Sequence, residues 1–241
     1  QTNDRLAINK LANFWKRSAL RILPNYYLIL YVNYILVNNK LLDGTTDKFN
    51  LWSFITFTQN LFSPFYDFFW ESWSLATQEW FYLLFPLFMI VIGRVSKLKY
   101  SIPIICVLFF IISISYRLGI SNKEYDKFWW DVNFRKVTLS RIDCIYFGVM
   151  ASWIRFYFKD FWVKYAKTLF MIGILLFILV SYVPKDINSI YTKVFHLSIA
   201  PIYISLCFPL IDKIKDTKSV VGKLITYFSI LSYSMYLLNL M

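Results

Sequence analysis

Residues 74–93 read SLATQEWFYLLFPLFMIVIG, an apolar run that carries a single charged side chain, Glu79. A helix needs about 20 consecutive, mostly apolar residues to cross the hydrocarbon core of a bilayer. The run is too long and too continuous for a membrane-barrel strand, in which apolar and polar residues alternate. This stretch therefore predicts a transmembrane helix and decides the fold class.

The composition of the whole chain agrees with a membrane protein. Of its 241 residues, 58% are hydrophobic and 17% are charged, whereas soluble domains are nearer half apolar and a quarter charged. Seven segments are apolar and long enough to serve as spans, so we predict an all-α, polytopic transmembrane helical bundle. The predicted spans are residues 22–38, 74–93, 101–116, 143–158, 168–183, 196–211 and 225–241.

The distribution of basic residues predicts the orientation of these spans. With the N-terminal end in the cytoplasm, the cytoplasmic segments hold 16 Lys and Arg residues, and the longer outer segments hold 10. An excess of Lys and Arg is typical of cytoplasmic loops. We therefore predict a basic cytoplasmic segment at residues 1–21 and outer loops at residues 39–73 and 117–142, the second of which is polar enough to contact a polar substrate.

One apolar segment, residues 51–62, is too short to cross a membrane. If it did cross, every later loop would invert and the charge bias would reverse. We predict a re-entrant or interfacial element within the first outer loop. The aromatic residues around its end suit the headgroup boundary: Phe65, Tyr66, Phe68, Phe69, Trp70 and Trp73.

Two kinds of partner are not predicted. The net charge of +12 could indicate nucleic acid, but the basic stretches flank apolar spans instead of forming one patch. The three cysteines, Cys106, Cys144 and Cys207, fall singly within apolar segments and lack metal-type spacing. We therefore expect no nucleic acid and no metal.

A basic stretch precedes the first predicted span. Arg17 and Arg21 are four residues apart and share one face of a helix, with Lys16 beside them. Guanidinium groups bind phosphate oxygens in pairs, which would suit an anionic ligand. The alternative is an anchor that meets anionic lipid headgroups, and the residue types alone favour the anchor.

Glu79 lies about five residues into its predicted span, at a depth of roughly 8 Å. A carboxylate at such a depth normally faces a bundle interior or a watery cavity. Ser74, Gln78 and Tyr82 recur at intervals of four and form a polar stripe beside it. We favour a functional role over the alternative, a network of hydrogen bonds between helices.

Two more polar places lie near the outer ends of predicted spans. The segment Ser140-Arg141-Ile142-Asp143 has the Ser-x-x-Asp pattern of a capping box. Alternatively, Arg141 and Asp143 face the site from the outer side, and both alternatives stay open. His196 is the only histidine, and we expect a structural, hydrogen-bonded residue because no metal set or triad surrounds it.

Residues 14–27, FWKRSALRILPNYY, and residues 73–86, WSLATQEWFYLLFP, together resemble the membrane acyltransferase 3 family. Its members show an arginine-rich stretch before R-I-x-P-x-Y and, later in the chain, W-S-L-x-x-E-x-x-F-Y-L-x-F-P. Segments that resemble its shorter motifs follow in the same order at residues 57–60, 140–148 and 231–237.

The resemblance implies a reaction in the bacterial cytoplasmic membrane. An acyl group, often acetyl, would move from cytoplasmic acyl-CoA to a hydroxyl of a cell-envelope carbohydrate, with membrane lipid as the surrounding partner and no bound cofactor. Carried over to this sequence, Glu79 would be catalytic, and two further sets of residues would serve the substrates. The acyl-donor set is Lys16, Arg17 and Arg21, and the acceptor or site-lining set is Gln78, Tyr82, Arg141 and Asp143.

The sequence also departs from the family pattern. Ser18 stands where the motif usually has Arg, Gln78 replaces the first of two acidic residues, and Asn239 stands where His is usual. The family's catalytic His precedes the arginine motif, so we expect it upstream of Gln1, in a longer protein of which this chain is a fragment inactive alone. The alternative function is a non-enzymatic transporter or flippase of lipid or polysaccharide.

Overall fold

A computed structural model of the chain describes residues 2–45, 51–63, 67–183, 186–214 and 220–238, and within these ranges it is helical, without strands. Its helices are α1 (Thr2–Asn38), α2 (Leu51–Ile55), α3 (Trp73–Gly93), α4 (Leu98–Ile120), α5 (Lys127–Trp130), α6 (Thr138–Arg141), α7 (Asp143–Tyr157), α8 (Lys159–Lys164), α9 (Ala166–Tyr182), α10 (His196–Ile211) and α11 (Val220–Leu238). A 3-10 turn, Trp70–Ser72, precedes α3, and π-helical turns occupy Asp131–Arg135 and Tyr191–Phe195.

Several helices are long and apolar enough to cross a bilayer. Within the described ranges, four single segments qualify: Leu11–Asn38, Trp73–Gly93, Leu98–Ile120 and Tyr191–Ile211. A fifth would be the pair Lys127–Arg135 and Thr138–Tyr157, which bends by 82°. Each of the seven predicted spans overlaps a helix, and the chain is an all-helical, multi-pass membrane protein, while the count of seven stays a prediction.

Both predicted outer loops contain helices. Residues 117–142 are mostly helical, because α4 continues to Ile120 and the segment then folds into α5, a π-turn and α6. Asp126 starts α5 by accepting a hydrogen bond from the backbone N–H of Trp129 at 2.7 Å, a capping interaction. In the first loop, α2 is five residues long, while Phe65, Tyr66 and the Trp70 side chain lie outside what the structure describes.

The chain divides into two compact units. The first comprises Gln1–Gln59, Phe65–Pro86 and Asp216–Met241, and the second comprises Asn60–Pro64 and Leu87–Lys215. The core of the first unit joins one face of α1 to aromatic residues that follow α2 and precede α3. Its buried members are Ile22, Tyr26, Ile29, Leu30, Val37, Phe54, Phe57, Phe68, Phe69, Leu75 and Ala76.

In the second unit, α9 packs closely against α10. The contact is made at Gly173, where an added Cβ would lie 2.8 Å from the carbonyl oxygen of Tyr203. Small residues allow helix backbones in membranes to approach one another in this way. The α4, α7 and α10 helices pack together in the same unit around a buried ion pair.

Candidate functional site

A cavity of about 270 Å³ surrounds Glu79 in the first unit. Three segments of the chain build its wall, which is aliphatic and aromatic apart from Glu79 and Thr56. The lining residues are Leu23 and Tyr27 from α1, Ile55, Thr56 and Phe57 from the end of α2, and Glu79, Trp80 and Leu83 from α3.

Hydrogen bonds to backbone carbonyls fix the end of α2 against the two long helices. From α1, the Tyr26 hydroxyl donates to the carbonyl of Phe54 and the Tyr27 hydroxyl donates to that of Ile55, both at 3.0 Å. From α3, the Trp80 indole N–H donates to the carbonyl of Phe57 at 2.9 Å. The turn after α2 is therefore held from both sides.

Phe57 adopts a φ of 57°, a left-handed conformation that bulky residues rarely take. Such a conformation costs on the order of 1–3 kcal/mol and persists only where its surroundings enforce it. Here the Phe57 ring is buried and lies 4.5 Å from the Tyr26 ring, centroid to centroid. Strained backbone of this kind clusters at active sites, and Phe57 begins one of the short segments that the sequence singled out.

Glu79 is half-buried in this cavity. Its Oε1 atom is buried and has no hydrogen-bond partner among the described residues. The donors in the wall, the hydroxyls of Tyr27 and Thr56 and the Trp80 N–H, bond to backbone carbonyls instead. Leaving a buried carboxylate oxygen unpaired costs free energy, so this oxygen is available to a donor that the protein itself does not supply.

The predicted polar stripe on α3 is present. Gln78 Nε2 donates to the Tyr82 hydroxyl at 2.8 Å, and the indole N–H of Trp15 donates to the Tyr82 carbonyl at 2.9 Å. Ser74 Oγ makes a hydrogen bond with the hydroxyl of Tyr236 on α11. Tyr82 and Ser74 thus join α3 to its neighbours, as the helix-network alternative predicts, whereas the bond from Gln78 stays within α3. Glu79, beside this stripe, lines the cavity.

The basic residues of α1 lie apart from the cavity wall. Because α1 is continuous, Arg17 and Arg21 do share a face, and both are exposed, as is Lys16. The buried face of the helix carries Ile22 and Tyr26 instead. The predicted acyl-donor residues therefore precede the α1 residues that line the cavity, and none of them lines it.

The second unit holds a different arrangement of charge. The guanidinium of Arg117 forms a fully buried ion pair with Asp143. It also donates to the carbonyl of Val194 at 2.7 Å and to Ser198 Oγ at 2.9 Å. Ser198 Oγ in turn donates to Asp143 Oδ2 at 2.5 Å, and the backbone N–H of Asp143 donates to Ser113 Oγ at 3.3 Å.

This cluster corrects the capping-box expectation for residues 140–143. Ser140 does not cap α7, because its hydroxyl donates to the Phe134 carbonyl at 2.5 Å and α7 has Ile142 at the N-cap position. Asp143 binds Arg117, and Arg141 donates to the Leu197 carbonyl at 3.2 Å, so both side chains have partners within the second unit. Asp143 is therefore a structural residue of the α4–α7–α10 packing.

Sequence reasoning missed two buried cations, Arg117 near the end of α4 and Lys193, whose ammonium binds carbonyls just after α4. Arg117 was assigned to the start of a loop, and its partner lies 26 residues away, so no local pattern joins the two. Lys193 is also buried, and its ammonium donates to the carbonyls of Ser121 at 3.0 Å and Lys123 at 2.6 Å. His196, the only histidine, packs against the ring of Tyr191 at 5.9 Å.

The sequence comparisons point to one family. A family profile described as an acyltransferase domain, that of the acyltransferase 3 family, matches residues 6–241. No curated protein matches the chain, and no solved structure does. Because the profile covers nearly every residue, including the arginine stretch and the Glu79 helix, the chain belongs to the acyltransferase 3 family of membrane enzymes that transfer acyl groups.

Proposed function

We propose that the protein moves an acyl group from acyl-CoA to a hydroxyl of a cell-envelope carbohydrate, and that Glu79 accepts the proton of that hydroxyl. The observation that carries the proposal is the unpartnered Oε1 of Glu79 inside a cavity. A general base must reach the proton that it removes, and an acceptor hydroxyl entering the cavity would supply the missing donor to this oxygen.

The chemistry is a transfer between a thioester and an alcohol. The hydroxyl oxygen bonds to the thioester carbonyl carbon while its proton passes to Glu79, and the carbonyl oxygen gains negative charge. The carbon–sulfur bond then breaks, the coenzyme A thiolate leaves, and the proton returns to it. The products are the ester and the free thiol of coenzyme A, and Glu79 is regenerated.

The size of the cavity supports a short acyl group. Sites for whole small molecules are usually 300–1,000 Å³, whereas this cavity is about 270 Å³. Its aromatic walls, Tyr27, Phe57 and Trp80, are fixed by hydrogen bonds or burial. An acetyl group and one edge of a sugar fit such a space better than a long acyl chain, which would favour acetyl-CoA as the donor.

The exposed arginines of α1 are the proposed donor site. Arg17 and Arg21 present two guanidinium groups on one face, and these suit the phosphates of coenzyme A. Leu23 lines the cavity and follows Arg17 by six residues, or roughly 9 Å along the helix. In the proposed orientation the protein lies in the bacterial cytoplasmic membrane, and the N-terminal end of α1 faces the cytoplasm, where acyl-CoA is available.

The decisive experiment is Glu79→Gln in the full-length protein. Incorporation of labelled acetyl groups from acetyl-CoA into envelope glycan is expected to fall by about 10²- to 10⁴-fold, the usual effect of losing a general base. Glu71→Gln is the matched control, since Glu71 precedes the same helix and does not line the cavity. Wild-type incorporation by Glu79→Gln, with normal amounts of protein in the membrane, would refute the assignment.

The donor site has its own test. Replacing Arg17 and Arg21 together by Lys keeps the charge, and so preserves a lipid anchor, but removes the planar fork that binds phosphate. We expect the KM for acetyl-CoA to rise by roughly tenfold or more, with unchanged membrane insertion. An unchanged KM would support the anchor alternative instead.

A further inference from the structure

Helices α7 and α10 of the second unit run side by side in the same direction and are tied together at both ends. At one end Ser198 on α10 donates to Asp143 on α7 at 2.5 Å. At the other, Arg155 Nε on α7 bonds to Asp212 Oδ2, just after α10, at 2.7 Å. These ties lie twelve residues apart on α7, or roughly 18 Å.

The space between the two ties is a groove that the protein does not fill. A cavity of about 390 Å³ lies between α7, α8, α9 and α10, and a second of about 190 Å³ continues it toward Asp143. The two share Phe147, Met150 and Ile202 as lining residues. A third, of about 250 Å³, adjoins the first through Trp162 and reaches Arg155.

The lining of the cavities of about 390 and 190 Å³ is almost entirely apolar. On α7 it follows one helical stripe, Phe147, Met150 and Ile154, and on α10 it follows Ile202, Leu206 and Pro209. Side chains that line an empty apolar space lack dispersion contacts on that side, and an apolar occupant would restore these contacts. The groove therefore suits a flexible hydrocarbon chain, and its length exceeds half of the roughly 30 Å hydrocarbon core.

The two ends of the groove differ in charge. In the described part of this unit, the segments at the Arg155 end carry eight cations against two anions, Asp160 and Asp212. The cations are Arg94, Lys97, Lys99, Arg155, Lys159, Lys164, Lys167 and Lys213. At the opposite end cations and anions are mixed, and the nearest charges, Arg117 and Asp143, neutralise each other. An amphiphile in the groove would thus place an anionic head at the Arg155 end.

We propose that this groove binds one acyl chain of an anionic phospholipid, with the lipid phosphate beside Arg155 and the chain running along α7 to Ile202. The bond to Asp212 engages Nε of Arg155, and a guanidinium carries four more N–H donors on its Nη atoms. Lys213 follows Asp212 directly and is exposed. The site shares no residue with the Glu79 cavity, so it stands independently of the proposed reaction.

The test compares phosphatidylglycerol with phosphatidylcholine of the same acyl chains, using the full chain purified in detergent and native mass spectrometry. Retention of phosphatidylglycerol is expected to be roughly tenfold higher, since each nearby basic residue favours an anionic headgroup. Ile202→Trp, which fills the junction of the two cavities, should abolish the retention. Ile204→Trp is the matched control, because Ile204 lies on the same helix and is 50% exposed.

A second variant, which fills the groove with a smaller side chain, controls for the possibility that Ile202→Trp misfolds. Met150→Phe enlarges another residue that lines both cavities, and it should lower retention while leaving the helical content unchanged. Equal retention of the two lipids, or full retention in both filled variants, would overturn the proposal. It would also be overturned if the wild-type chain formed a dimer that Ile202→Trp disrupts, because a second copy would then occupy the groove.

Discussion

Two carboxylates on membrane helices, Asp143 and Glu79, have opposite surroundings. Asp143 is fully buried and bound by Arg117, Ser198 and the hydroxyl of Ser113. Glu79 is half-buried, and its inner oxygen has no partner in the described part of the chain. A satisfied buried charge fixes how helices pack, whereas an unsatisfied one lowers stability and is retained for function. The contrast supports a structural role for Asp143 and agrees with the proposed catalytic role of Glu79.

The largest effect on stability is expected for Asp143→Leu. Removing one partner of a buried ion pair leaves an uncompensated charge and costs about 3–5 kcal/mol. We therefore expect a much lower midpoint of unfolding in detergent, measured by circular dichroism. The double variant Arg117→Leu with Asp143→Leu should regain most of the loss, because neither charge is then left alone. Equal instability of the single and double variants would contradict the structural role.

Glu79→Leu is expected to have the opposite effect on stability. Replacing a carboxylate that has one buried, unpartnered oxygen by an apolar side chain should leave the free energy of unfolding unchanged or raise it by about 1 kcal/mol. Acyl transfer should be lost in the same variant. The same unfolding measurement checks this, and a clear loss of stability would show that Glu79 has a structural partner in the folded protein.

The sequence was sufficient to locate the long helices and to single out Glu79 as an unusual residue. Long apolar runs determine spanning helices because a bilayer leaves the backbone no other way to satisfy its hydrogen bonds. A charge inside such a run is conspicuous without any knowledge of its neighbours, which is why Glu79 was identified correctly as unusual. The positions of Arg17 and Arg21 on one face follow from helical periodicity alone.

Tertiary pairing accounts for what the sequence could not show. Arg117 lies at the end of an apolar run, where a charge is expected to reach water, and only the packing of α4 against α7 and α10 reveals its partners. The Ser140–Asp143 spacing fits a cap, but a nearby carbonyl claims the Ser140 hydroxyl. The contribution of residues 55–57 to the Glu79 cavity depends equally on contacts between distant segments.

Smaller effects on stability are expected at Tyr26 and Tyr27, two neighbouring residues of α1 that differ in burial. Both donate to a carbonyl at 3.0 Å, but Tyr26 is fully buried and Tyr27 is 36% exposed. Tyr26→Phe removes a buried hydrogen bond and leaves the Phe54 carbonyl with the longer bond from the Phe57 N–H at 3.4 Å, so it should cost about 1 kcal/mol. Tyr27→Phe should cost less than about 0.5 kcal/mol, because water can replace the lost donor. Equal losses in thermal unfolding would mean that the turn after α2 depends on both bonds alike.

The smallest effect is expected at the exposed ion pair between Arg155 and Asp212. The hydrogen bond from Arg155 holds the pKa of Asp212 below its usual value of 3.8, against a smaller opposing effect of desolvation. A carboxylate with a lowered folded-state pKa stabilises the fold at pH values above its unfolded pKa, and that contribution disappears as the pH falls through the folded pKa. Salt and solvent screen such a pair, so its contribution is slight.

Arg155→Gln should therefore make the melting temperature of the protein less sensitive to acidification between about pH 5 and pH 3, where the pair is lost in the wild type. Lys213→Gln is the matched control, because it removes an adjacent cation whose ammonium donates to the Val163 carbonyl and not to Asp212. If both variants flatten the profile equally, general charge at this end of the second unit, and not the Arg155–Asp212 bond, lowers the pKa. If only Arg155→Gln flattens the pH dependence of the melting temperature, the Arg155–Asp212 bond itself lowers the pKa of Asp212 and links α7 to the end of α10 at this end of the groove.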